Sequence, residues 1–145
     1  LFLKDWSVLL SLATTKAPDF NAARQLGAFL NFSFRHLVGT TADLGLLFEY
    51  MRDSRLELAP DPLHHDVFFG VRLGLNDEAD SQALLGIVQD IDASTRQYFL
   101  EASQRIFDGV KATMELQVFS SVAANDALRG LKDDDFVRIE VAYYY

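Results

Sequence analysis

Every second residue is apolar through eight stretches of this chain, and that two-residue rhythm limits the possible folds more than any other feature. Successive side chains of a strand point to opposite faces, so a period of two marks a strand with one apolar face; a helix would repeat every 3.6 residues. Residues 26 to 34 set Leu26, Ala28, Leu30, Phe32 and Phe34 against Gly27, Phe29, Asn31 and Ser33. Leu44, Leu46, Phe48 and Tyr50 alternate in the same way, as do Val67, Phe69, Val71, Leu73 and Leu75. The rhythm continues through 84 to 91, 98 to 107, 110 to 119 and 136 to 145, and a looser run of Trp6, Val8, Leu10 and Leu12 begins it. Each segment has about 9 to 11 residues, the length a tilted strand needs to cross a bilayer.

The two faces differ in charge. The apolar face carries no charged residue in any segment and is interrupted only by Gln89 and Gln104. The other face mixes glycine, phenylalanine and small polar residues with Arg35, Arg72, Arg105, Lys111 and Arg138, and with Glu49, Asp90, Glu101, Glu115 and Glu140. Balanced signs are expected if these side chains pair inside a confined, partly hydrated lumen, where an unpaired charge is costly. The expected fold is therefore all-β: an antiparallel up-and-down transmembrane β-barrel of about eight strands, with residues 1–145 forming one barrel domain or the C-terminal portion of a larger one. Leu26, Phe32, Phe48, Val71, Leu116 and Ile139 are expected to face lipid. A soluble sandwich or small barrel would turn the apolar face inward. It would then leave seven large aromatics, Phe29, Phe68, Phe99, Phe107, Phe119, Phe136 and Tyr144, on a solvent face, an aggregation liability. A helical reading exists for residues 95 to 118, but Gly109 and the alternation on both sides argue against it.

Composition closes off other classes. Half of the 145 residues are hydrophobic, yet no stretch approaches the roughly 18 apolar residues of a spanning helix. A net charge of −8 disfavours nucleic acid as a partner, and the absence of cysteine removes disulfides, zinc–thiolate sites and thiol nucleophiles. No metal or other cofactor is expected. The start at Leu1 and the loose first strand point to part of a longer protein or a processed form.

The connections also alternate in character. Residues 37 to 42, 76 to 81 and the Asp108-Gly109 turn are short; 14 to 21, 53 to 65 and 123 to 134 are longer, and 92 to 95 breaks the pattern. Short periplasmic turns and long outer loops are the outer-membrane arrangement. With a periplasmic C-terminus, Trp6, Phe34, Tyr143 and Tyr145 form an inner aromatic belt and Tyr50 and Tyr98 an outer one; His36 is read as a girdle residue. The final residues, Val137-Arg138-Ile139-Glu140-Val141-Ala142-Tyr143-Tyr144-Tyr145, resemble the C-terminal β-signal of bacterial outer-membrane β-barrel proteins, a terminal aromatic preceded by apolar residues at alternate positions. The resemblance implies that Ile139, Val141, Tyr143 and Tyr145 are the assembly signal read by the barrel-assembly machinery, and that the chain lies in the bacterial outer membrane among lipid and lipopolysaccharide.

The leading functional expectation is a porin-like or export channel for small solutes, its lumen lined by the ten charged residues. A non-conducting structural or interaction barrel is the alternative, and eight strands alone would favour such a filled interior. An outer-membrane hydrolase is third: Asp61-Pro62-Leu63-His64-His65-Asp66 holds His beside Asp, similar by residue type alone to the Asp–His pair of omptin-type proteases, although a solvated loop is the plainer reading. No catalytic or metal site is assigned. The acidic run Lys132-Asp133-Asp134-Asp135, with Asp126, is read as surface solvation in preference to cation-bridged contact with lipopolysaccharide.

Overall fold

A computed structural model of the chain describes residues 5–16, 24–54, 65–124 and 126–145. The eight alternating segments form eight strands: β1 (Asp5–Lys16), β2 (Arg24–Arg35), β3 (Asp43–Asp53), β4 (His65–Gly74), β5 (Gln82–Asp90), β6 (Arg96–Phe107), β7 (Val110–Ser120) and β8 (Phe136–Tyr143). They lie in one antiparallel up-and-down sheet in the order of the chain. The segment with helical spacing is strand throughout, as β6 and β7. Among the described residues, no helix is long and apolar enough to cross a membrane.

Register carries the face pattern from strand to strand, because directly paired residues point to the same side. One row runs Val8, Phe32, Leu46, Val71, Leu85, Leu100, Leu116 and Val137, apolar on all eight strands. The row on one side of it, from Trp6 through Phe34, Leu44, Leu73, Ala83, Ala102 and Met114 to Ile139, is equally unbroken. On the other side, Leu10, Leu30, Phe48, Phe69, Ile87, Tyr98 and Val118 continue the band.

This band is not buried. Among the described residues, the buried hydrophobic side chains are Val110 and Phe119, while Leu85 is 55% and Ile139 71% exposed. Leu26, Phe32 and Phe48 are exposed too, and Val71 and Leu116 are half-buried between neighbours. The chain presents 10064 Å² to its surroundings, about a third more than the roughly 7500 Å² expected of a compact monomer of 16.3 kDa. One layer has folded, and no other described residue packs on its apolar face.

The sheet is open among the described residues, with β1 and β8 as its two edges. The expected pairing of first and last strand is not made, and register supplies a reason. Counted from the short-turn end, the Val8 row moves from the fourth residue of β1 to the seventh of β8. That drift of three residues is well short of the shear of about 8 found in one class of eight-stranded barrel. Joining the edges would require β1 and β8 to slide along each other.

Turn chemistry fits the short end. Gly109, at φ 74°, closes the two-residue β6–β7 turn, and Tyr144 N donates to its carbonyl at 2.7 Å. The β2–β3 and β4–β5 turns are tied together: Asn76 Nδ2 donates to Thr41 O at 2.7 Å and Thr41 Oγ1 to Leu75 O at 2.8 Å. At the other end, the β7–β8 connection holds a 3-10 helix, Ala127–Leu131, capped by Asp126, which accepts from Leu128 N at 2.7 Å. Asp135 accepts from Phe119 N at 2.7 Å and Lys132 pairs with Asp133 at 3.0 Å. Asp126, Asp133 and Asp135 of the acidic set thus each have a distinct local contact.

Candidate functional site

The second face of the sheet is concave. A cavity of about 390 Å³ is lined by Leu47 of β3, Arg72 of β4, Leu84 of β5, Glu101 of β6, and Lys111 and Glu115 of β7, and it reaches Ala83, Ala102 and Met114 of the apolar row at its margin. On a flat sheet Leu47 and Glu115 would lie about 19 Å apart across four strand spacings, too far to line one cavity of this size. Burial points the same way: Gly70, Gly86 and Phe119 are buried on the mixed-charge side while Phe69, Leu85 and Ile139 stand exposed on the other. The sheet therefore curls around its mixed-charge side and leaves the apolar rows convex, with a shallow groove where Ala83 and Ala102 lie between Leu73 and Met114.

Glycine and phenylalanine set that curl. Gly70 and Gly86 are paired across β4 and β5, and the rings of Phe68 and Phe99 stack at 5.6 Å above them. Phe68 and Phe99 come from strands two apart, so their rings lean together over the bare glycine backbone. A Cβ on Gly86 would collide with Phe99 Cζ, and one on Gly70 with Phe68 Cζ. Both glycines are buried under these rings.

The structure gathers part of the charged set. Arg72, Glu101, Lys111 and Glu115 share the cavity, and Arg138 joins Glu115 at 3.1 Å across β7 and β8. That is the ion pair within the set of ten among the described residues, where opposite charges are not generally paired. Register opposes like charges: Glu101 faces Glu115, and Arg105 faces Lys111. Directly opposed like charges repel, and partial solvent access moderates the cost here, since Glu101 and Arg105 are exposed. Arg72 Nη2 donates to Gln82 Oε1 at 3.4 Å.

The remaining candidates lie elsewhere. Arg35 ends β2 opposite Asp5, Glu49 sits between Phe29 and Phe68, and Glu140 faces Thr113 on the edge strand. Arg105 Nη1 donates to Glu78 O at 3.4 Å at the short-turn rim, beside an irregularity between Arg105 and Phe107. Asp90 is buried at the long-connection rim, where its Oδ1 accepts from Asp92 N and Ala93 N at 2.7 Å each. It shapes a turn. Ile139, Val141 and Tyr143 stand exposed on the convex face of β8, and the Tyr143 and Tyr145 rings lie 6.4 Å apart.

Of the histidine–aspartate loop, Asp61 through His64 fall outside the described residues. His65 begins β4 on the convex face, its Nδ1 2.7 Å from Asp92 Oδ2 and its Nε2 3.3 Å from Tyr50 Oη. Both ring nitrogens are engaged, an arrangement that holds the β5–β6 turn against β4. Among the described residues no group of three or more His, Asp or Glu is placed to hold a metal ion.

Sequence reasoning passed over the buried carboxylate Asp53 and the buried hydroxyl of Thr95, and it read Asp66, also buried, as part of the histidine–aspartate loop. Asp66 is paired directly with Asp90. The two-residue rhythm already puts Asp53, Asp66 and Asp90 on the charged face, and the strands' common end is what brings them together.

The fold thus defines an all-β class, an eight-stranded up-and-down antiparallel sheet with an apolar side that no other described residue covers. Comparison with family models, curated proteins and solved structures returned no match.

Proposed function

We propose that this sheet is the membrane-spanning wall of a bacterial outer-membrane barrel, with its apolar rows against lipid and its charged concave side lining a hydrated passage for small solutes. The observation that carries the reading is the band of apolar rows, continuous across the sheet, free of charge and left uncovered. In water such a surface would drive aggregation; in hydrocarbon it is the solvated side. Bilayer residence also demands that the free edges of β1 and β8 be paired, with each other or with further strands, because unsatisfied backbone groups cost several kcal/mol there. The aromatic ending of β8 fits recognition by assembly machinery.

The charges around the cavity are suited to polar solutes of either sign, Arg72 and Lys111 opposing Glu101 and Glu115. One observation favours a non-conducting barrel instead: Phe68 and Phe99 fill the concave side over Gly70 and Gly86. Planar-bilayer recording of the reconstituted full-length protein separates the two. Discrete conductance steps, with ion selectivity altered by Lys111→Glu, support the passage; an inserted protein that stays silent supports the filled barrel. Failure of the folded chain to enter bilayers defeats both.

A further inference from the structure

Among the described residues, charge returns to the convex face at the rim of the long connections. Beyond the three apolar rows, on the side of the long connections, the register sets Arg52 beside His65 and Gln89 beside Arg96. Arg52 and Arg96 are exposed. Among the described residues Arg52 has no hydrogen bond or ion pair, and Arg96 donates only its Nε, to Gln89 Oε1 at 2.5 Å. Between them His65 is held by Asp92 and Tyr50, which leaves the ends of both guanidinium groups open outward. At the opposite rim this face ends in Leu44, Leu73, Gln104 and Tyr143, and the adjoining turns carry Asp77, Glu78, Asp80 and Asp108.

We infer that this collar docks the phosphate-bearing headgroups of lipids in the leaflet nearest the long connections, with Arg52 and Arg96 as its contacts. The inference rests on the membrane-spanning reading and adds to it a preference for anionic lipid and an orientation. A guanidinium presents a planar fork that matches phosphate oxygens in two parallel hydrogen bonds. The depth suits a headgroup, since each further row lies about 7 Å along the strand and the collar begins one row past the apolar band. Its occupant is a lipid rather than free phosphate because acyl chains below the headgroup would lie on the rows of Phe48, Phe69 and Tyr98. The acidic turns at the other rim repel the same headgroups, so the two ends of the wall are not interchangeable.

The test is the urea midpoint of the full-length chain folded into vesicles of phosphatidylcholine alone and of phosphatidylcholine with a phosphatidylglycerol fraction. Anionic lipid is expected to shift the folding equilibrium by about fivefold for each arginine, about thirtyfold together. High salt should erase the shift, R52Q/R96Q should lose it, R52K/R96K should keep only the point-charge part of it and fall short of the arginine protein, and the concave-face control K111Q should keep most of it. Equal midpoints in the two vesicle types, or a shift that survives in R52Q/R96Q, overturn the collar while leaving the membrane reading intact. Inorganic phosphate reproducing the shift in neutral vesicles would replace the lipid by the free anion. A chain that inserts into neither vesicle removes both readings.

Discussion

Leu85 lies at the middle of the central apolar row, 55% exposed on β5, and its neighbour Leu84 points the opposite way into the charged cavity. Substituting arginine at each reads out which side meets lipid. If the convex face lies in hydrocarbon, Leu85→Arg moves a charge near the midplane and costs about 2–4 kcal/mol, a loss of roughly thirty- to seven-hundredfold in the folding equilibrium. Leu84→Arg enters a cavity that already holds Arg72 on one side and Glu101 on the other, so its attractions and repulsions offset and the cost stays below about 1 kcal/mol. The assay is reversible urea unfolding in phosphatidylcholine vesicles, followed by the emission of Trp6, the chain's one tryptophan, which stands exposed on the convex face. In a water-soluble fold a half-exposed leucine tolerates arginine within about 0.5 kcal/mol. A small effect at Leu85, or a larger one at Leu84, refutes the assignment of faces.

Gly86→Ala is expected to cost about 1–3 kcal/mol by overpacking, since its new methyl meets the Phe68 and Phe99 rings. Gly27→Ala has nothing within 4 Å and should be near neutral; equal urea midpoints for the two variants would contradict the ring-over-glycine packing. Asp77 is held below its ordinary value of 3.8 by hydrogen bonds from the Ser81 amide first and the Ser81 hydroxyl second. A depressed carboxyl contributes fully above its unfolded pKa and loses that contribution as pH falls through the folded one. Protection of the Ser81 amide against hydrogen exchange should therefore decline below about pH 4 and be low at all pH values in Asp77→Asn. Cysteines at Leu12 and Val141 sit opposite each other if β1 and β8 close within one chain at a shear of about 8. A disulfide within a single chain then locates the closure, a cross-link between chains shows pairing of copies, and no cross-link shows that other strands cover the edges.

The alternation was legible because a strand exposes its pattern locally: each of the eight segments carries its own evidence, and no partner is needed to read it. Even the run around Ile106 and Val110, which also suits a helix, is decided by flanking residues and by Gly109. Pairing of the charges was not legible, because register is set between strands. Nothing near Glu101 in the chain announces that Glu115 will stand opposite it. The same holds for His65 and Asp92, brought to 2.7 Å across 27 residues, and for Phe68 and Phe99, whose contact needs an intervening strand. Closure failed to follow from pattern for a related reason: alternation repeats indefinitely along a strand, whereas stagger accumulates only across several.

The stacked rings over Gly70 and Gly86 give the sheet an adjustable crease. Their bulk determines how far β4 and β6 can fold toward each other, so the radius of the arc is stored in two side chains that never touch the outer surface. Exchanging one ring for a smaller group would tighten the bend and leave every surrounding molecule facing the same exterior.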